Sequence, residues 1–266
     1  MISPFRQMIV EGHKALDTDL EAALHYFGVA SMVASSPVEN AEAKQMLGVA
    51  FRKKGKLATA VRYGQAALDF ATESGVLSLM SGAARDLAAS QHILGISNAK
   101  KRKASFTAAR RNYELASDYD WASRTSPTGD AEESGAQYYV NLGMAAALRY
   151  DAAHYRIELY DDDNKFGRMP YGDTQLLLGE SSDWIADADA GLQRFSNRIW
   201  EFNNLIKRIQ MVSVEDKPAL IRRALKLVED FPERKNEIWL SMMGRGVFRL
   251  TIILRGWRRR LCEKFL

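Results

Sequence analysis

Cysteine is almost absent from this chain, with Cys262 alone among 266 residues. A single thiol closes no intrachain disulfide and offers no thiolate pair to zinc, so a disulfide scaffold and a cysteine metal site are excluded and a reducing, cytoplasmic setting is expected. Histidine is scarce as well: His13, His25, His92 and His154 all stand too far apart for the short spacing of a metal-binding pair. Six prolines and very few alternating β-branched runs leave nothing that reads as a strand. No apolar stretch approaches the roughly 20 residues of a membrane span, and Met1 to Val10 gives way to Glu11 and His13 too early for a secretory core.

Catalytic constellations are missing too. Cys262 lies beside Arg258, Arg259 and Arg260, which favour a thiolate, but no base is placed to use it. Gly167 to Thr174 has the glycine spacing of a phosphate loop, yet Asp173 stands where a lysine should reach the phosphates and would repel them. Asp161, Asp162, Asp163 and Asn164 suggest calcium, but Lys165 or Phe166 falls where an oxygen ligand is needed. The expectation is a chain that is not an enzyme and takes no cofactor or metal.

What is present is a helical composition: 47% hydrophobic, 26% charged, and rich in alanine and leucine. The net charge of +4 is unevenly placed. Between Leu240 and Leu266, Arg245, Arg249, Arg255, Arg258, Arg259, Arg260 and Lys264 face one acid, Glu263. Lys100, Lys101, Arg102 and Lys103, with Arg110 and Arg111 beyond, make a second basic cluster.

The segment Ala43 to Leu68 carries internal order of another kind. Leu47-Gly48 precedes Phe51, Gly55 sits in a polar turn, and Ala60 and Ala67 follow in a second helix. Small residues at such positions let antiparallel helices approach, an aromatic fills the gap between pairs, and glycine turns the chain. Ala23, Phe27 and Ala30 repeat a four-then-three spacing, with Pro37 as a stop, and Ala109, Tyr113 and Ala116 repeat it again. Ser78 to Leu94 is the expected partner of that last helix, through a long connection from Ser97 to Ala104. Leu142-Gly143 with Ala146 marks a further first helix in Ala136 to Tyr150, with Asp151 to Tyr160 as a shortened second one.

These segments resemble the tetratricopeptide repeat family. The resemblance implies an all-α chain in which residues 1–163 form an α-α superhelix; Asp161 to Glu180, with three glycines, a proline and an acidic run, has the chemistry of a loop, so 164–180 is read as a loop and 181–266 as a C-terminal bundle of capping helices. The alternative is an irregular bundle of Ala-rich helices, also all-α. In the second region, Ser181 to Val212 reads as one long helix whose Ile185, Ala188, Leu192, Phe195, Ile199, Phe202, Ile206 and Ile209 alternate three and four apart. This seam over 185–209 either covers the end of the stack or joins two copies in a homo-oligomer. Asp216 to Asp230, ended by Pro232, reads as an amphipathic helix, and Asn236 to Phe265 as a basic amphipathic tail.

The family's known role implies a protein-protein interaction module, adaptor or chaperone-like, holding a peptide or helix of a partner protein in the concave groove. The groove would be lined by Gln45, Val49, Arg52 and Lys53, by Arg85, Ala89 and His92, and by Asn141 and Met144, with Arg52, Arg85 and Asn141 suited to an acidic peptide end. The other reading is a peripheral protein in which the basic tail meets nucleic acid or an anionic membrane.

Overall fold

A computed structural model describes residues 2–125, 131–155, 186, 188, 190, 198–212, 215–230 and 232. The chain divides into two compact units, Met1–Trp184 and Ile185–Leu266. Among the described residues every regular element is helical and none is a strand, so the protein is all-α as its composition requires. The expected loop over 164–180 lies outside the described residues.

Among the described residues the first unit holds seven helices: α1 Pro4–Ala15, α2 Leu20–Val33, α3 Pro37–Lys53, α4 Leu57–Ser74, α5 Leu77–Ser97, α6 Arg102–Thr125 and α7 Ala131–His154. Local chemistry sets the early boundaries. Ser3, Asp19 and Ser36 accept backbone N–H groups at the starts of α1, α2 and α3. Pro4 and Pro37 each occupy the first turn, where proline has no hydrogen bond to lose. Pro37 therefore opens α3 and does not end α2, which stops at Val33. The Glu39 carboxylate receives the N–H and hydroxyl of Ser35, and these bonds hold it below its ordinary pKa. Gly55 and Gly75 turn the chain at φ 76° and 69°, a conformation that glycine adopts without a steric penalty.

Short connections fold each helix back along its predecessor, and every consecutive pair from α1 to α7 is in contact. Beyond these neighbours, α3 touches α5 and α5 touches α7. The hairpins interlock through one recurring triplet. Ala23, Phe27 and Ala30 on α2, Ala60, Gly64 and Ala67 on α4, and Ala109, Tyr113 and Ala116 on α6 are all buried at the same spacing. The preceding helix answers with glycine. A Cβ at Gly12 would enter the Phe27 ring, one at Gly95 would enter the Phe106 ring, and one at Gly48 would lie 3.4 Å from the Gly64 nitrogen. This repeating interlock gives the unit a helical-repeat character.

Two connections differ from the sequence reading. The α5–α6 connection runs only from Asn98 to Lys101, because Arg102 is already helical. It is tight because Asn98 Oδ1 accepts the N–H groups of Lys100 and Lys101, while the Arg102 guanidinium caps α5 through the carbonyls of Gly95 and Ile96. Helix α7 continues through Asp151 to His154, with no break where a second helix was expected to begin. Asp151 stays helical because its side chain is buried against α5, where His92 holds it.

In the second unit, α8 Arg198–Met211 and α9 Lys217–Leu227 are followed by a short 3-10 turn, Val228–Asp230. The expected single helix from Ser181 to Val212 is described over α8 and at the helical residues 186, 188 and 190. Phe202, Leu205 and Ile209 pack on Leu220, Ala224, Leu227 and Val228, and Arg223 donates to Glu201. Phe202, Ile206 and Ile209 of the apolar seam thus serve this helix pair. Ile185, Leu192, Phe195 and Ile199 fall outside the described side chains.

Candidate functional site

The odd helices α3, α5 and α7 carry the residues expected to line a groove, and their side chains are largely engaged with one another. Gln45 and Arg52 stand two turns apart on α3, and both reach Asp86 on α5. The Gln45 amide donates to Asp86 Oδ2 at 2.7 Å, and Arg52 Nη2 donates to Oδ1 at 2.9 Å. Arg52 Nη1 also donates to the Asp86 carbonyl and the Ser90 hydroxyl. Arg52 and Asp86 keep 18% and 21% of their side-chain exposure, so this ion pair is shielded but not sealed. Burial alone would raise the Asp86 carboxyl. The charges of Arg52 and Arg85 and the donated hydrogen bonds outweigh it and hold the group below its ordinary range.

A second set of links joins α5 to α7. Arg85 donates to Gln137, and His92 Nε2 lies 2.7 Å from Asp151 Oδ2. Both members of the His92–Asp151 pair are buried, and the imidazole stands edge-on to Phe106 and Tyr113. Burial raises the Tyr113 hydroxyl pKa well above its usual value. Helix α6 contributes two further links: Asn112 donates to Gln91 at 2.8 Å, and Asn141 donates to Asp120 at 2.6 Å. Burial pushes Asp120 up to about 6, against the pull of Ser81, the Arg85 charge and the Asn141 bond.

The expected groove residues therefore fall into three groups. His92, Ala89 and Asn141 are buried; Gln45, Val49, Arg52, Arg85 and Met144 are half-buried; Lys53 is exposed and paired with Asp17. Met144 packs against the cluster of Phe106, Tyr113 and Leu148. Asp86, Asp120, Gln137 and Asp151 were not singled out from the sequence. Each stands 21 to 59 residues from its partner, and no local pattern announces a pair at that distance. The basic tail, Arg245 to Arg260, lies outside the described residues.

A separate cleft of about 350 Å³ opens between α6 and α7, lined by Tyr113, Trp121, Tyr138 and Leu142 with Arg110 and Glu114 at its edge. Trp121 is 55% exposed there, with its ring 6.3 Å from that of Tyr138. Among the described residues no group of histidine, cysteine and carboxylate side chains is placed to hold a metal ion. Nor is any described helix long and apolar enough to cross a membrane. No protein-family model matches the chain, and no curated protein matches it either.

Proposed function

We propose that this chain is a non-catalytic, helical-repeat interaction protein, adaptor or chaperone-like, that holds a segment of a partner protein along the face lined by α3, α5 and α7. In this reading the hairpins stack in the manner of tetratricopeptide repeats. The observation that carries it is the pairing of each odd helix with the next one, α3 with α5 and α5 with α7, through side chains fixed in place by partners on the adjoining helix. Donors held in position before a ligand arrives lose little entropy on binding, which is what an extended recognition surface requires. Arg52 and Arg85 are offset by the carboxylates of Asp86 and Asp120, so the charge at the centre of that face does not by itself select an acidic segment.

Arg52 is itself a structural partner of Asp86, so reversing it would disturb the fold along with any groove. The informative substitutions are Val49→Glu and Lys53→Glu, at half-buried and exposed positions of α3. Affinity capture with the intact chain should retain a partner that the double variant loses, while the circular dichroism melt stays unchanged. Equal capture by a folded double variant overturns the assignment of this face.

A further inference from the structure

The acids and bases of the two central hairpins are segregated by end. No acid occurs from Ala43 to Leu68 or from Leu87 to Tyr113, stretches that centre on the α3–α4 and α5–α6 turns. Those turns carry Lys53, Lys54 and Lys56, and Lys100, Lys101, Arg102 and Lys103. Because successive helices run back and forth and α3 lies against α5, both turns sit side by side at one end of the hairpins. The acids Glu39, Glu42, Asp69 and Glu73 gather toward the other end.

Helix stability does not explain this layout. Helices α4 and α6 open on lysine or arginine with no acid in the first turn, against the direction their dipoles favour. The α1–α2 turn at the same end offsets only part of the charge, through Lys53 with Asp17 and Lys54 with Glu21. Lys56, Lys100 and Lys101 are exposed and form no ion pair among the described residues, and Lys103 is exposed beside them. Arg102 is committed to its cap and to the Tyr155 ring 3.9 Å away.

We propose that the α3–α4 and α5–α6 turns form an electrostatic docking edge for the phosphate backbone of a nucleic acid. Lysine, a mobile point charge, suits phosphate contacts without base reading. The turn residues themselves offer no large apolar side chain for a bilayer to take up: Phe51, just before the first turn, is half-buried and stacked on Tyr63, and the exposed Ile93 lies more than a helical turn before the second. The charges are carried by two neighbouring turns, which successive phosphates of one strand can meet in sequence. Arg111, exposed farther down α6, extends the positive field away from the turns. This edge is distinct from the α3–α5–α7 face and does not depend on it.

The test is fluorescence anisotropy of the full chain with labelled 20-nucleotide single strands and 20-base-pair duplexes at 50 to 200 mM salt. The variant combines Lys56→Glu, Lys100→Glu, Lys101→Glu and Lys103→Glu. A control with the same change in net charge combines Arg6→Glu, Lys217→Glu, Arg222→Glu and Lys226→Glu. The turn variant should lose about thirtyfold or more in affinity, and its slope of log Kd against log salt should fall by about three to four, one for each lysine lost. The control should shift Kd by less than about threefold. A Lys→Gln version of the turn set should show a smaller loss with a similar fall in slope, which separates lost contacts from added repulsion. Equal losses in turn and control variants overturn the proposal, as does wild-type binding without salt dependence. Wild-type binding to phosphatidylserine vesicles but to neither oligonucleotide overturns it in favour of a membrane surface.

Discussion

The even and odd helices of the first unit share an apolar core, and the odd ones add polar links from one to the next. On α2, α4 and α6 the buried triplets are small or aromatic, and they hold each hairpin together by shape. On α3, α5 and α7 the contacts between hairpins add the polar links Arg52–Asp86, Arg85–Gln137 and His92–Asp151 to apolar packing such as Leu87 against Gly64. Apolar packing is strong but does not discriminate well among similar partners. A polar pair of fixed geometry contributes less net stability and far more selectivity, because a wrong partner leaves a buried group unsatisfied. The comparison teaches that apolar packing closes the hairpins and brings them together, while polar pairs between the odd helices set their register.

The largest effect should come from the shape side. Phe27→Ala removes a fully buried ring that fills the space left by Gly12, and should cost about 3–5 kcal/mol in urea unfolding. A loss below about 1 kcal/mol would mean that the triplet is not what closes the first hairpin. On the polar side, Asp86→Ala leaves Arg52 and Gln45 without their shared acceptor and should cost about 2 kcal/mol, less than a sealed pair because both side chains keep some exposure.

The even-helix pattern was the legible part of the sequence. Ala23, Phe27, Ala30 and Ala109, Tyr113, Ala116 could be read because their spacing is local and periodic. Gly64 completes the same triplet on α4, but a glycine inside a helix does not announce itself as a core position. The odd-helix links were not legible. Arg52 and Arg85 read as ligand-facing cations because nothing nearby in sequence reveals that Asp86 and Gln137 will meet them. His92 reads as a surface or packed histidine or as a groove residue, and it is packed; its partner is hidden because Asp151 reads as the start of a separate helix.

Acid–base behaviour sharpens the contrast on a smaller scale. Asp120 has a folded pKa of about 6, above the ordinary aspartate value of 3.8, so the folded protein holds this proton more tightly than the unfolded chain. Its contribution to stability is therefore greatest at low pH and declines as pH rises from about 4 to about 6. Asp86 is shifted the other way, so its contribution is present above the ordinary value and is lost as acid protonates it. Asp120→Asn should remove the first decline, so that the stability of the variant relative to wild type rises by about 2 kcal/mol between pH 4 and pH 7. A flat difference across that window would show that burial does not burden this carboxylate. The smallest effect belongs to the rim: Lys53→Ala breaks only the exposed pair with Asp17, and its unfolding midpoint should match wild type within about 0.5 kcal/mol.

The most direct measurement of register setting by polar pairs is a charge-swap cycle on Arg52 and Asp86. Arg52→Asp and Asp86→Arg should each destabilise the protein, and the double swap should recover at least about 1 kcal/mol of coupling in urea unfolding. Strictly additive losses would contradict the account, because they would mean that α3 and α5 do not find each other through this pair.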